Sequence, residues 1–474
     1  MTVPQAICRF DFGNAVKKAF LTGGFKKIGI KRIQWSSLPS VRSVSREKRE
    51  KWPADIESPF AGLTRGRRRA RRPRTPAGLT ATDDDGPHHD RTADGGVMTG
   101  KSGSPATGHS GPAIGMDRAK ILARRFAAHG LDRSSGTPDL GELGVLGVQD
   151  TPAGSARLAL AARGVPPDGL ERVWTFRGAP HLHRADALPA LAAALWPLDD
   201  ADAEARIRTT AIKEGAKLGL RAFRTTAEAL RTVVTGPKPK GVVSGEVSAL
   251  VDPSLTFDCA TCGSRHVSGL LFQQAGLFGG VRVTSGGGTT LSPLEPGFAL
   301  PEAAHGTDAL VRAYLHLHGP AGPAEVAKYL GVRTPVVRAV WPEGLLEVEV
   351  TGEGGGGRTA WLAGPDTGPP EPGPGTTVRL LPPGDPFLQG RDRELLVPDE
   401  GRRKEVWRAI GGAGVLLVGA EPAGTWRAKA AGRAVAITVA PFAPLTAPVR
   451  RALEAEAGVV AAARGADEAR LHLV

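Results

Sequence analysis

The segment from Asp308 to Gly364 constrains the fold more than any other part of the chain. ALVRAYLHLHG carries apolar residues at helical spacing, and PAEVAKYLG does so again after a proline. Gly331-Val332-Arg333 reads as a tight turn, and TPVVRAVW then opens with Thr334 before Pro335. That pair starts helices well, because proline's fixed φ suits the first turn and a threonine hydroxyl satisfies an otherwise orphan N–H. EVEVTGEGGGGRTAWLAG follows at once, two alternating runs about a glycine tip. Helix, turn, helix and glycine-tipped hairpin is the order of a winged-helix domain. Winged helices also serve as protein-interaction modules, so the order specifies fold and leaves function open.

The same order recurs upstream. From Met116, DRAKILARRFAAHGL has a helical period that stops at Gly130, and Leu140 to Val148 reads as a second apolar helix or strand. Pro152 and Gly154 mark a turn, and Ser155 to Arg163 is helical with Gly164 as its C-cap. Trp174 to His183 alternates like a strand, and Ala185 to Trp196 is helical again. Next comes a long basic amphipathic helix over Thr209 to Val234, ended by Gly236-Pro237. The turn PKPKGVV then leads to a short helix that Ser244 can cap, and LFGGVRVTSGGGTTLSPL reads as a wing. After the linker GPDTGPPEPGPGTT, the last hundred residues are rich in strand patterns and close with the helix APVRRALEAEAGVVAAARG, which fits a small barrel capped by a helix. The expected fold class is α+β: winged helices at 116–205, 206–300 and 301–365 with a helical scaffold, and a C-terminal β-barrel at 376–474.

Charge is unevenly placed. Residues 1–115 hold 21 of the 61 Lys and Arg and 10 of the 48 Asp and Glu, so the remaining 359 residues carry 40 basic against 38 acidic groups. The high isoelectric point therefore describes the leader, including RGRRRARRPR, and does not by itself argue for nucleic-acid binding by the core. No periodicity runs through the leader. It is expected to be a disordered basic arm or to lie upstream of a true start at Met98 or Met116. No run of 18 or more apolar residues occurs, so no membrane partner is expected. Cys8, Cys259 and Cys262 are the three cysteines. An odd count without a signal peptide argues against a disulfide framework and points to a reducing cytoplasm.

Two stretches carry chemistry. LGVQDTPAGSARLALAAR places Gln149, Asp150 and Thr151 in a row within small apolar residues, and VWTFRGAPHLH sets Arg177, His181 and His183 after an aromatic pair. In extended backbone Gln149 and Thr151 share a face that Asp150 leaves, unless Pro152 turns the carboxylate back. Alternatively, Gln149 caps a helix and Asp150 makes an Asx turn before Pro152. His181 and His183 share one strand face, pointing either toward a nucleic acid or into ordinary packing. Arg177 offers a planar fork of donors suited to phosphate or base. Lys238 and Lys240 are candidates for backbone contacts, or simply solvate their loop. Cys259, Cys262 and His266 supply three zinc-type ligands on a short turn. The fourth would come from elsewhere, with Asp258 or His305 available; reduced thiols in a hairpin are the alternative. No glutamate accompanies them in the deaminase pattern. His316 and His318 read as ordinary helix residues.

LGVQDTPAGSARLALAAR, VWTFRGAPHLH, CATCGSRHV, the late winged helix, LLPPGDPFLQGRDR, and GTWRAK followed by PFAPL stand in that order over residues 116–474. Together they resemble the winged-helix DNA glycosylases of the AlkZ and YcaQ type. The resemblance implies three winged helices around a DNA-sized channel, a C-terminal barrel, and excision of alkylated purines, interstrand crosslinks included. It implies double-stranded DNA as partner. A monomer and a reaction that requires no cofactor are expected, and a zinc at Cys259, Cys262 and His266 would be structural. The family's motif is Gln-aliphatic-Gln or Gln-aliphatic-Asp. Gln149 matches its first position, while Asp150 stands in the aliphatic place and Thr151 in the third. A non-catalytic DNA-binding protein, a regulator or damage sensor, is the alternative. No lysine lies in the Gln149 stretch to form a Schiff base, so a lyase step is not expected.

Overall fold

The computed structural model describes residues 114–133, 140–285, 288–294, 298–351, 357–364, 375–408 and 411–474. The chain divides after Gly108 into two units, and every described residue lies in the second. The leader therefore lies outside the described residues except for Ile114 and Gly115. These two open β1 (Ile114–Met116), which pairs parallel to a strand more than two hundred residues away.

Helix α1 (Arg118–Ala128) starts at Asp117, whose carboxylate accepts from the Lys120 N–H at 2.9 Å. Then come α2 (Gly141–Leu146), β2 (Val148–Gln149), α3 (Ser155–Arg163), β3 (Leu170–Trp174) and β4 (Pro180–Arg184). The sheet order is β2-β4-β3, with Gln149 opposite His181 and Glu171 opposite His183. The single alternating run expected from Trp174 to His183 is thus two strands. Arg177 at φ +58° and Gly178 at φ +72° reverse the chain between them. Helix α4 (Leu188–Leu195) follows.

The next part comprises α5 (Asp200–Ile207), α6 (Leu220–Val233), β5 (Lys238–Pro239), α7 (Lys240–Leu250), β6 (Thr256–Cys259), β7 (Ser264–Val267), α8 (Gly269–Gly276), β8 (Val281–Ser285) and β9 (Thr289–Pro293), with sheet order β5-β9-β8. The basic helix expected from Thr209 begins only at Leu220, whose N–H donates to the Asp200 carboxylate at 2.8 Å. Ser244 lies inside α7 and does not cap it, because the helix already starts after Pro239.

Downstream, α9 (Thr307–His318), α10 (Pro323–Leu330), α11 (Thr334–Ala339), β10 (Leu346–Thr351) and β11 (Gly357–Leu362) follow the expected order, and β1 adds to β10 as a third strand. The C-terminal part contains β12 (Val378–Leu381), α12 (Arg393–Leu396), α13 (Glu400–Val406), β13 (Gly414–Val418), β14 (Glu421–Ala431), β15 (Ala434–Pro441), α14 (Ala447–Ala463) and β16 (Glu468–Leu473). Its five strands run β12-β13-β14-β15-β16 with free outer edges among the described residues, so it is an open sheet and not the expected barrel. The physical reason is its cover. β15 and β16 are parallel and need a crossover, and α14 supplies it while packing Leu453, Ala457 and Val460 with Leu380, Leu416 and Ile437.

One apolar cluster joins Leu160, Trp174 and Phe176 to Phe223 and Phe272 and on to Tyr314 and Tyr329. Each such buried side chain contributes about 1.5–3 kcal/mol, so these parts share a core and are not independent beads. Helix α3 is the joint. Ala159 and Leu160 face that cluster, Leu158 enters the core of the C-terminal sheet, and Ala162 enters a third cluster with Phe387. A helix apolar on most of its circumference is buried on most of it.

Candidate active site at the start of the central helix

Helix α3 is held by an ion pair at each end. At its start, Gly154 occupies the cap position at φ +88° and has no side chain to offer. Asp150 replaces it. Its Oδ1 accepts from the Gly154 and Ala156 N–H groups at 2.7 and 3.2 Å, and its Oδ2 meets Arg172 Nη1 at 2.7 Å. This is not the Asx turn that the sequence offered, because the residue two on is Pro152 and has no N–H. The carboxylate caps α3 from a distance and has a charge partner on β3. At the helix's end Arg163 makes a bidentate pair with Asp385, both distances 2.9 Å, with the two side chains 2% and 0% exposed.

The Asp385 turn places backbone over the polar triplet. Gly384, at φ +77°, sits so close that a Cβ there would lie 2.6 Å from Thr151 O and 3.7 Å from Gln149 Nε2. Gln149 is half-buried, and its amide enters no hydrogen bond among the described residues. Thr151 is exposed. Of the three motif side chains, then, Asp150 is fully engaged, Thr151 faces solvent, and Gln149 has its polar atoms uncommitted.

His181 and His183 do share a face, but it is the interior; both are 0% exposed. An imidazole without exposed surface makes no contact with a duplex laid on the outside, so their expected role as DNA contacts is corrected to packing and positioning. His181 Nδ1 lies 2.9 Å from Thr175 Oγ1 and 3.0 Å from Ala179 O. The His183 ring fills the space where a Cβ on Gly147 would stand, which requires glycine there, two residues before Gln149. Burial holds both rings neutral, His181 well below the usual histidine range and His183 down to about 4.

Arg177 lies in the β3–β4 turn, not on a strand. Its guanidinium stands 5.2 Å from the centre of the Tyr329 ring, and that of Arg391 stands 5.7 Å from the same ring. Burial and the neighbouring Arg391 charge lower the Arg177 pKa to about 10, and burial raises the Tyr329 hydroxyl to about 12. The nearby carboxylate, Asp392, is already taken by Arg125 at 2.7 and 3.0 Å. Arg177 Nη1 and Arg391 Nε are buried without a partner among the described residues. Two guanidiniums with unmet donors on one tyrosine suit an anion. Sequence reading missed Arg391, Arg172 and Gly384. The first and last lie in LLPPGDPFLQGRDR, which the sequence offered only as part of the family resemblance; Arg172 lies in none of the stretches that carry it.

Lys238 is half-buried and paired with Glu246 at 2.8 Å, and the Lys240 ammonium stands 5.5 Å from the Trp174 ring centre. Cys259, Cys262 and His266 come together, their ligand atoms all within 4.8 Å of one another. Burial pushes the Cys259 thiol up, but N–H groups of Cys262 and Thr261 and the side chains of Cys262 and His266 bring it down to about 6. Neither Asp258 nor His305 joins the group. His318 is buried against Tyr314 and Tyr329 and belongs to the core, as does His129 beside it.

Against this geometry, the family model of the AlkZ-like DNA glycosylases matches residues 142–463. Among solved structures, the fold is similar to that of Streptomyces sahachiroi DNA glycosylase AlkZ, with a TM-score of 0.57 and 21% identity, over 76% of this chain and 100% of that one. No curated protein matches.

Proposed function

Since the chain belongs to the AlkZ-like DNA glycosylase family, we propose that it is a monofunctional DNA N-glycosylase that releases alkylated or crosslinked purines from duplex DNA. In that reaction a water oxygen bonds to the sugar C1′ and loses a proton, while the bond to the base breaks with its electron pair on the base. A purine alkylated at N7 is already cationic and leaves as a neutral molecule. The demand on the protein is to orient the water and to stabilise an oxocarbenium-like cation.

The observation that carries this reading is the Gln149 amide, half-buried and uncommitted at the mouth of α3. Its oxygen orients the water and faces the developing cation. Asp150 acts at one remove, holding the turn through Arg172 and the α3 N–H groups. The Thr151 hydroxyl lies beside it, exposed to solvent. Arg177 and Arg391 take a backbone phosphate, and Lys238 and Lys240 add contacts along the strand. DNA runs across three winged helices at 116–205, 206–300 and 301–365, with the sheet of 376–474 closing one side. The protein works as a monomer in the cytoplasm, its chemistry needs no cofactor, and any zinc is structural. Among the described residues no helix is long and apolar enough to cross a membrane.

The test is base release from duplex DNA carrying 7-methylguanine, with alkali revealing abasic sites. Native protein releases the base and Gln149→Ala binds the duplex without releasing it. Tight native binding without release, from this lesion and from an interstrand crosslink, would overturn the enzyme reading in favour of a non-catalytic DNA-binding protein.

A further inference from the structure

We propose that the β6–β7 hairpin binds one zinc ion through Cys259 Sγ, Cys262 Sγ and His266 Nε2, with the fourth coordination position open to water. The strand register decides the ligand set. Phe257 pairs with His266 and Cys259 with Ser264, so Cys259 and His266 stand on one face of the hairpin. Asp258 pairs with Arg265 on the other face, and the two side chains meet there at 3.5 Å. That carboxylate is therefore turned away from the sulfurs.

The three ligand atoms already lie within 4.8 Å of one another. A tetrahedral zinc with Zn–S of about 2.3 Å and Zn–N of about 2.0 Å places its ligand atoms roughly 3.5–3.8 Å apart, so small side-chain rotations close the site. The turn between the cysteines is built for it. Gly263 takes φ +64°, and its N–H donates to Cys259 O at 2.9 Å, which brings Cys262 back toward Cys259.

An outer layer orients each ligand. His266 Nδ1 lies 3.0 Å from Val267 O, so Nδ1–H donates to that carbonyl and leaves the Nε2 lone pair for metal. The Phe257 ring stands edge-on to the imidazole at 4.7 Å. Ser264 Oγ–H donates to Cys262 Sγ at 3.4 Å. Two sulfurs and one imidazole select zinc over magnesium or calcium. Cys262 is exposed, which leaves the remaining position to solvent.

The hairpin is inserted between α7 and α8 and is tied back by the Val267 N–H to Ser248 Oγ at 2.7 Å. Bound metal would cross-link its tip at a place with little core of its own. This proposal stands apart from the glycosylase reading, since its readout is optical.

The experiment titrates reduced, chelator-stripped full-length protein with Co²⁺ and then displaces it with Zn²⁺. Native protein is expected to take up one equivalent, with a thiolate-to-cobalt charge-transfer band and tetrahedral d–d bands that shift when imidazole is added. Cys259→Ser and Cys262→Ser each lower affinity by at least about 100-fold, and His266→Gln lowers it by about 10-fold or more, since loss of even an outer-layer partner costs 10–100-fold. Asp258→Asn binds as native. Absence of the charge-transfer band in native protein would overturn the site, as would native affinity in Cys259→Ser. Weakened binding by Asp258→Asn, or d–d bands indifferent to imidazole, would overturn the open position.

Discussion

Replacing Asp150 by asparagine separates a positioning carboxylate from a catalytic one. Asparagine keeps an Oδ1 acceptor for the Gly154 and Ala156 N–H groups but removes the charge that meets Arg172 at 2.7 Å. The two side chains are 6% and 17% exposed, so the pair is largely desolvated. Stranding one member of a buried pair costs about 3–5 kcal/mol, and the partial exposure of Arg172 places this case near 3 kcal/mol. At about 2 °C per kcal/mol for a protein of this size, Tm falls by about 6 °C. Asp150→Ala also loses the helix cap, worth about 1 kcal/mol, and falls by about 8 °C. In an Arg172→Leu background the asparagine effect shrinks by about 2 kcal/mol, because the partner is already gone. Thermal unfolding followed by circular dichroism measures native protein, the three single variants and the double variant, and base release is measured on the same preparations below their transitions. Asp150→Asn keeps release within about tenfold of native, a change worth about 1.4 kcal/mol in the barrier. A native Tm with release reduced by about 10³, the size of a lost general base, would refute the positioning role.

Stability should also fall in mild acid. Burial depresses the pKa of His129, His181, His183 and His318 in the folded state, so the unfolded chain takes up protons first. Their contribution is complete above the unfolded value near 6.5 and is lost as pH falls toward the folded values. For His183, displaced to about 4, the full loss is about 3 kcal/mol; a Tm that stays flat between pH values of about 6.5 and 5 would contradict this. Arg177→Gln and Arg391→Gln should each weaken duplex binding across sequences and reduce the slope of log affinity against log salt by about 0.9. An unchanged slope would remove the phosphate contact. Gly384→Ala should impair base release at retained duplex affinity and lower stability by about 1–3 kcal/mol, since φ +77° and the Thr151 carbonyl both oppose a Cβ; native release rates would show that the turn does not shape the Gln149 site.

Elements that rest on local interactions were legible in the chain itself. The Gly331 turn of the third winged-helix segment appears where its residues place it, as does the Gly164 C-cap at φ +72°. By contrast, α11 starts one residue earlier than expected, with Arg333 at the cap and no side-chain hydrogen bond from Thr334. So does the shared face of His181 and His183, because side chains two apart on a strand point the same way whatever surrounds them. What that face meets is a different matter. The interior position of the two histidines depends on packing with Phe176, which in turn packs on Tyr329, about 150 residues further along the chain. The Asp150–Arg172 and Arg163–Asp385 pairs join residues 22 and 222 apart. Whether the last five strands close or stay open turns on α14 covering one face. Periodicity, caps and turns act within a few residues, so the sequence by itself determined most of the elements and the polar triplet, though not the chain reversal after Trp174 or the start of the basic helix. Burial and charge pairing act between segments brought together only by folding, and they alone decided that Asp150 is spent on the helix start while Gln149 is left free.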